Sequence, residues 1–185
     1  MRHARLSRGD MAPKLQTSDW KGQPFDLASL RGGPVFLSFY RYASCPLCNL
    51  RIHQLITAHH TFAAKGLTMV AVFQSPAESI ARYVGRQVPP FVMIPDPEMR
   101  IYRRFGVETS WLGFMRAWTI GIGRPLRAVL GKGFMPGMIE GNLNRIPADF
   151  LIGTDGTLVD VFYGKDIGDH MPLQRLHDGL RVRTY

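Results

Sequence analysis

The sequence predicts a single α/β domain with helices on both faces of a central sheet, and three observations carry that expectation. Elements alternate along the chain as β-α-β-α-β-α, then an irregular stretch, then β-β-α. Two of the strands are near-continuous apolar runs, the pattern of strands buried on both faces. Finally, 185 residues with 45% hydrophobic content suffice for one packed core, and no repeat or second core is signalled.

The elements follow in order. Residues 1–11 are basic and lack an apolar run, so they read as a disordered N-terminal extension, and export through a secretory signal is not expected. Residues 12–185 then form the domain. "PVFLSFYR" is the first buried strand. After a cysteine-bearing stretch, Ile52, Leu55, Ile56, His59 and Ala63 recur at helical spacing, in a helix that Gly66 ends. "LTMVAVFQ" is a second buried strand. Ser75-Pro76 reads as a cap residue and first-turn proline opening a helix to Gln87. "FVMIPD" is a short strand, and "PEMRIYRRFG" a short helix closed by Gly106. "ADFLIG" and "TLVDVFYG" flank Thr154-Asp155-Gly156, a hairpin signal. Residues 171–180 make the last helix. Residues 109–146, rich in Gly, Met and Trp, do not fit the alternation and read as an insertion.

Charge excludes more than it assigns. The balance of 23 Lys plus Arg against 14 Asp plus Glu gives +9, but the basic residues are scattered. No basic face interleaves with stacking aromatics and no nucleic-acid motif occurs, so a solvated basic surface is the reading. No apolar run approaches the length of a membrane-spanning helix. Two cysteines are too few for a secreted disulfide framework, and the expected location is the cytoplasm.

Those two cysteines, Cys45 and Cys48, carry the chemistry. They follow a buried strand and open a helix, with Pro46 in the first-turn position that proline prefers. Both sulfurs then lie near the positive end of the helix dipole, which stabilises a thiolate. The spacing brings the sulfurs within disulfide reach, so the site can cycle between dithiol and disulfide. Zinc would need two more ligands. His53, His59 and His60 lie too far along the same helix, and no second C-x-x-C exists, so neither metal nor cofactor is expected. Two inert buried cysteines remain the bland alternative. A second feature supports the redox reading: Pro147 stands at the entry to a strand, where a cis bond would be a deliberate feature.

A C-x-x-C at a strand-to-helix junction, with "PADFLIGTDGTLV" about a hundred residues later, resembles the thioredoxin superfamily. The resemblance implies a thioredoxin-like fold and a cis Pro147 packed against the cysteine pair. Within the superfamily, "FLSFYRYASCPLC", "MIPDPEMRIYRRFGV" and "FLIGTDGTLVDVFYG" resemble the alkyl hydroperoxide reductase/thiol-specific antioxidant group, the peroxiredoxins. The "SWLGFMRAW…EGNL" stretch is similar to the peroxiredoxin-like 2 branch, which includes the prostamide/prostaglandin F synthases. The chain also departs from the family. Aligning "FYR" with the family's strand puts Arg41 at its proline, Cys45 at its threonine and Cys48 at its peroxidatic cysteine. Pro147 falls where a partner arginine is expected. The peroxidatic apparatus is incomplete, while the dithiol pair is intact.

Three functions follow. One is a thiol-dependent peroxide reductase, whose partners are a peroxide and an external thiol such as thioredoxin, glutaredoxin or glutathione. Another is a thioredoxin-type oxidoreductase acting on protein disulfides, and the third a redox-switched binding protein. Arg41 and Arg51 are candidates to favour the thiolate and polarise a peroxide, or else are plain surface arginines. The helix argument favours Cys45, more exposed at the cap, as the attacking sulfur, whereas the family alignment favours Cys48. In the insertion, Trp111, Phe114 and Trp118 suggest a pocket for an organic hydroperoxide or endoperoxide, with Arg116, Arg124, Arg127 and Lys132 to meet a carboxylate. The competing reading of that insertion is a covering helix or a homodimer contact.

Overall fold

The computed structural model describes residues 4–112, 114–115, 137 and 139–181. Its centre is a five-stranded mixed sheet in the order β5-β4-β3-β6-β7. The strands are β3 (Val35–Phe39), β4 (Thr68–Phe73), β5 (Val92–Pro95), β6 (Ala148–Ile152) and β7 (Leu158–Tyr163). The run β3, β4, β5 is parallel, and β6 pairs antiparallel with both β3 and β7. A small antiparallel pair, β1 (Gln16–Ser18) and β2 (Pro24–Asp26), precedes the sheet. The helices are α1 (Pro46–Ala63), α2 (Ala77–Arg82), α3 (Arg100–Arg104) and α4 (Leu173–Arg181).

Strand alternation divides the core in two. Phe36 of β3 and Tyr40 just past its end, with Met69, Ala71 and Phe73 of β4, pack under Cys48, Ile52 and Leu55 of α1 and Leu176 of α4. Val35, Leu37 and Phe39, with Val70, Val72, Phe150 and Ile152, pack against Ile101, Tyr102 and Phe105 on the opposite face. Helices thus cover both faces, as the alternating sequence requires.

Three expectations need correction. First, the N-terminal segment is not a disordered extension: from residue 4 it runs along β7. Gly9 N–H donates to Leu158 O at 2.9 Å, Leu158 N–H to Asp10 O at 2.8 Å, and Met11 bridges Thr157. The pairing uses backbone groups, so the polar side chains gave no sign of it, and it covers an otherwise open sheet edge. Second, the helix after β4 stops at Arg82 and continues only as a 3₁₀ turn, Val84–Gln87. Gly85 lowers helical propensity, and Val88 before Pro89 is steered out of the helical region. Third, no cis peptide bond occurs among the described residues, so Ile146-Pro147 is trans. Pro147 closes its strand entry differently, its carbonyl accepting from Gly164 N–H at 2.9 Å.

Candidate active site

The cysteines sit where the sequence puts them. Cys45 is the N-cap of α1, in extended conformation, and Pro46 is the first helical residue. Cys48 follows within the first turn. Cys45 is nevertheless not the more exposed of the two: the sulfur-bearing residues are 1% and 2% exposed. Both are free thiols.

A dense set of hydrogen bonds holds the loop that carries them. Arg41 O accepts from Gln74 N–H at 3.1 Å, and Cys45 N–H donates to Tyr42 O at 3.0 Å. Ala43 N–H donates to Ser75 Oγ at 2.8 Å. The amide of Asn49, one turn into α1, donates to both Ala43 O (2.7 Å) and Cys45 O (3.0 Å), and Gln87 Nε2 holds Asn49 Oδ1 at 3.0 Å. Ser75 therefore serves the cysteine loop rather than capping α2, whose N-cap is Pro76. Beneath, the Tyr102 hydroxyl lies 2.7 Å from Tyr40 O and 2.9 Å from Val72 O, fixing the end of β3 against β4. Asp96 anchors Tyr102 in turn by accepting from the N–H groups of Arg100, Ile101 and Tyr102.

Electrostatics separate the two sulfurs. Burial alone would push the Cys45 thiol up. A hydrogen bond from the Cys48 thiol, the Arg41 guanidinium and the first-turn amides of Cys48 and Leu47 outweigh that and hold Cys45 below the usual thiol range. Those amides act through their dipoles, since none makes a cap hydrogen bond to the side chain. Arg41 Nη1 lies 3.5 Å from Cys45 Sγ, and its guanidinium stacks on Tyr42 at 5.0 Å. Burial, together with the hydrogen bond and charge of Cys45, keeps the Cys48 thiol well above the ordinary value. The two thiols are thus displaced in opposite directions, Cys45 below the ordinary value and Cys48 above it.

The other predicted residues divide. Arg41 joins the sulfurs. Arg51 does not: one turn past Cys48 on α1, it is buried with Nη2 donating to Met171 O at 2.6 Å rather than to a sulfur. Ile146, next to Pro147, packs with Ile167 against Leu47, the residue between the cysteines, and Phe114 joins that cluster. Trp111 is 66% exposed and meets Phe114 edge-on at 5.8 Å, so it shields Phe114 rather than lining an enclosed pocket. Trp118 and the basic residues of the insertion lie outside the described residues.

Sequence reasoning missed several polar residues of the site. Buried Asn49 and Ser75 and half-buried Gln87 are described above. Arg145 stacks on Tyr102 at 5.0 Å and donates to Val107 O at 2.6 Å, tying the end of the insertion to the layer under the site. Asp149 on β6 accepts from Ser38 Oγ and from Met171 N–H, and faces His170 Nδ1 at 3.2 Å. The one available signal was polarity: Ser38 and Asp149 interrupt otherwise apolar strands.

The comparisons with known proteins agree with the fold. The family model for the AhpC/TSA family matches residues 8–161. Peroxiredoxin Bcp of Escherichia coli (strain K12) is 26% identical over 110 residues, 58% of this chain and 70% of the relative. Among solved structures, peroxidoxin BcpB from Mycobacterium tuberculosis superposes with a TM-score of 0.72 at 19% identity, covering 98% of this chain and 100% of that one. A Xanthomonas campestris peroxiredoxin Q structure gives 0.67 at 16% identity, covering 92% of both.

Proposed function

The chain belongs to the AhpC/TSA family, and on that premise we propose that it is a thiol-dependent peroxide reductase in which Cys45 attacks and Cys48 resolves. The carrying observation is the asymmetric pair itself: Arg41 Nη1 lies 3.5 Å from Cys45 Sγ, whose thiol is held below the ordinary value while burial keeps that of Cys48 above it.

The reaction runs in three balanced steps. The Cys45 thiolate attacks a peroxide oxygen, the O–O bond breaks, and the sulfur is oxidised to a sulfenic acid while the departing alkoxide takes a proton. Arg41 is placed to stabilise charge on the oxygens as that bond stretches. The Cys48 sulfur then attacks the sulfenic sulfur, the S–S bond forms, and the sulfenic oxygen leaves as water with the Cys48 proton. Two equivalents of an external thiol reduce the disulfide and are themselves oxidised to a disulfide. Cytoplasmic thiols of the thioredoxin, glutaredoxin or glutathione kind suit that last step.

Burial of both sulfurs favours a small oxidant over a protein disulfide, which must bring a bulky chain to the attacking atom. The apolar group of Phe114, Ile146 and Ile167 around Leu47 favours an organic hydroperoxide. Two assays test the reading, both supplied with dithiothreitol. Hydroperoxide consumption lost in Cys45→Ser, with slow insulin-disulfide reduction by the native protein, supports it. Fast insulin reduction without peroxide turnover overturns it in favour of disulfide exchange.

A further inference from the structure

A cavity of about 190 Å³ opens beside the first two turns of α1, lined by Leu47, Leu50, Arg51 and Gln54 from the helix and by Gly168 and His170 from the loop after β7. We propose that it is a subsite for the carboxylate of a small substrate, either the organic hydroperoxide or the low-mass thiol that reduces the disulfide. The inference deepens the peroxidase reading and rests on it.

Arg51 carries the argument. It is 8% exposed, and among the described residues no carboxylate lies within ion-pair distance of it. A guanidinium has five N–H donors. The contacts described use one for Met171 O, and Nε is buried with no hydrogen-bond partner. Buried cations left so incompletely satisfied are uncommon, and a planar anion is the group that matches a guanidinium fork. The nearby acids are already engaged. Asp149 feels the charge of Arg51 but makes no ion-pair contact with it, its oxygens being taken by Ser38, His170 and Met171 N–H, while Asp166 and Asp169 accept from Gly168 N–H and Lys165 N–H of their own loop. A cavity of this size suits a head group rather than a whole ligand.

Its position relates it to the sulfurs. Arg51 is three residues past Cys48 on the same buried side of α1, about 4.5 Å further along the helix axis. Leu47, between the two cysteines, forms one wall. A carboxylate held at Arg51 leaves the rest of a short molecule to run over Leu47 toward Cys45.

The test compares free acids with their methyl esters. One arm uses linoleic acid hydroperoxide against its methyl ester, with dithiothreitol as reductant. The other uses 3-mercaptopropionate against its methyl ester, with hydrogen peroxide as oxidant. In each, the acid-to-ester ratio of kcat/KM is compared between proteins, which cancels the intrinsic reactivity of the probes. Gln54 is exposed at the cavity rim, so its substitutions leave the core alone. Gln54→Glu is expected to lower the ratio several-fold and Gln54→Lys to raise it. Arg51→Gln should lower it further. The arm that responds identifies which substrate brings the carboxylate. A ratio unmoved by all three substitutions in both arms, with turnover intact, overturns the subsite and leaves the peroxidase reading standing. Absence of turnover overturns the peroxidase reading instead. The subsite is then decided by titrating propionate into the reduced protein: a shift of the Arg51 Nε–H resonance, lost in Gln54→Glu, supports it, and no shift refutes it.

Discussion

The two faces of the central sheet are built from the same strands and do different work. On the face covered by α3, Phe39 meets Tyr102, Phe105 and Phe150 with ring centroids 5.1, 5.2 and 5.7 Å apart, and the buried charges there, Asp96 and Arg145, hold Tyr102 in place. On the face covered by α1, the next residues along those strands are Ser38, Tyr40 and Asp149, and above them lie both thiols, Asn49 and Arg51. Strand alternation lets one face hold the fold with dispersion and burial while the other accommodates polar groups that burial alone would reject. Structure and chemistry are therefore expected to respond to mutations on different faces.

The largest expected effects come from opposite faces. Cys45→Ser should remove peroxide turnover by at least about a thousandfold while leaving the melting temperature within a few degrees, because a buried hydroxyl replaces a buried thiol of similar size. Phe39→Ala should do the reverse, costing about 3 to 5 kcal/mol in denaturant unfolding while the folded fraction keeps its thiolate. If Phe39→Ala abolished thiolate formation in protein still folded, the two faces would not be separable.

Asp149→Asn probes whether the polar face also contributes to stability. Burial opposes the carboxylate, but His170, Arg51 and Ser38 hold its pKa below the usual value. Since the folded value is lower than the unfolded one, its stabilisation is present above about pH 4 and is lost as pH falls through the lowered folded value. Asp149→Asn should destabilise the neutral-pH protein by about 3 kcal/mol and flatten the acid limb of the stability curve. Urea midpoints measured across the acid range check both.

Arg41→Gln concerns chemistry alone. Removing the guanidinium beside Cys45 should raise the thiol pKa, read by ultraviolet thiolate absorbance. Turnover below the new pKa should fall about tenfold for each unit of rise. In the native protein the thiolate midpoint should lie below the ordinary thiol value of about 8.5, with activity declining as acid protonates Cys45. The smallest effect belongs to Arg175→Gln. Its bidentate contact with Asp160, at 2.7 and 2.8 Å, is partly exposed and should be worth no more than about 1 kcal/mol.

How legible each feature was depended on the range of its contacts. The buried strands, the cysteine cap and Pro46 were readable because periodicity and capping are local. Arg41 could be named from sequence but not distinguished from Arg51, since both lie close to the cysteines and only the folded loop before α1 brings Arg41 to Cys45 while Arg51 finds Met171 O, 120 residues on. Ser75 looked like a helix cap because its role depends on Ala43, across two strands. The trans bond at Pro147 and the pairing of the N-terminal segment with β7 depend on backbone partners far along the chain, which no window of sequence contains.

Central β3 has its partner β4 close by, yet its other partner, β6, is more than a hundred residues downstream, with Val35 opposite Ile152. At ribosomal speeds of about 5 to 20 residues per second, synthesis of the intervening stretch takes roughly 5 to 20 s. Throughout that interval the nascent chain has emerged with its cysteine loop but without Asp149, His170 or the strand that completes their shelter. The pair that is later buried is, at birth, open to any disulfide in its surroundings, so a reducing milieu matters to this protein before it has any activity to perform.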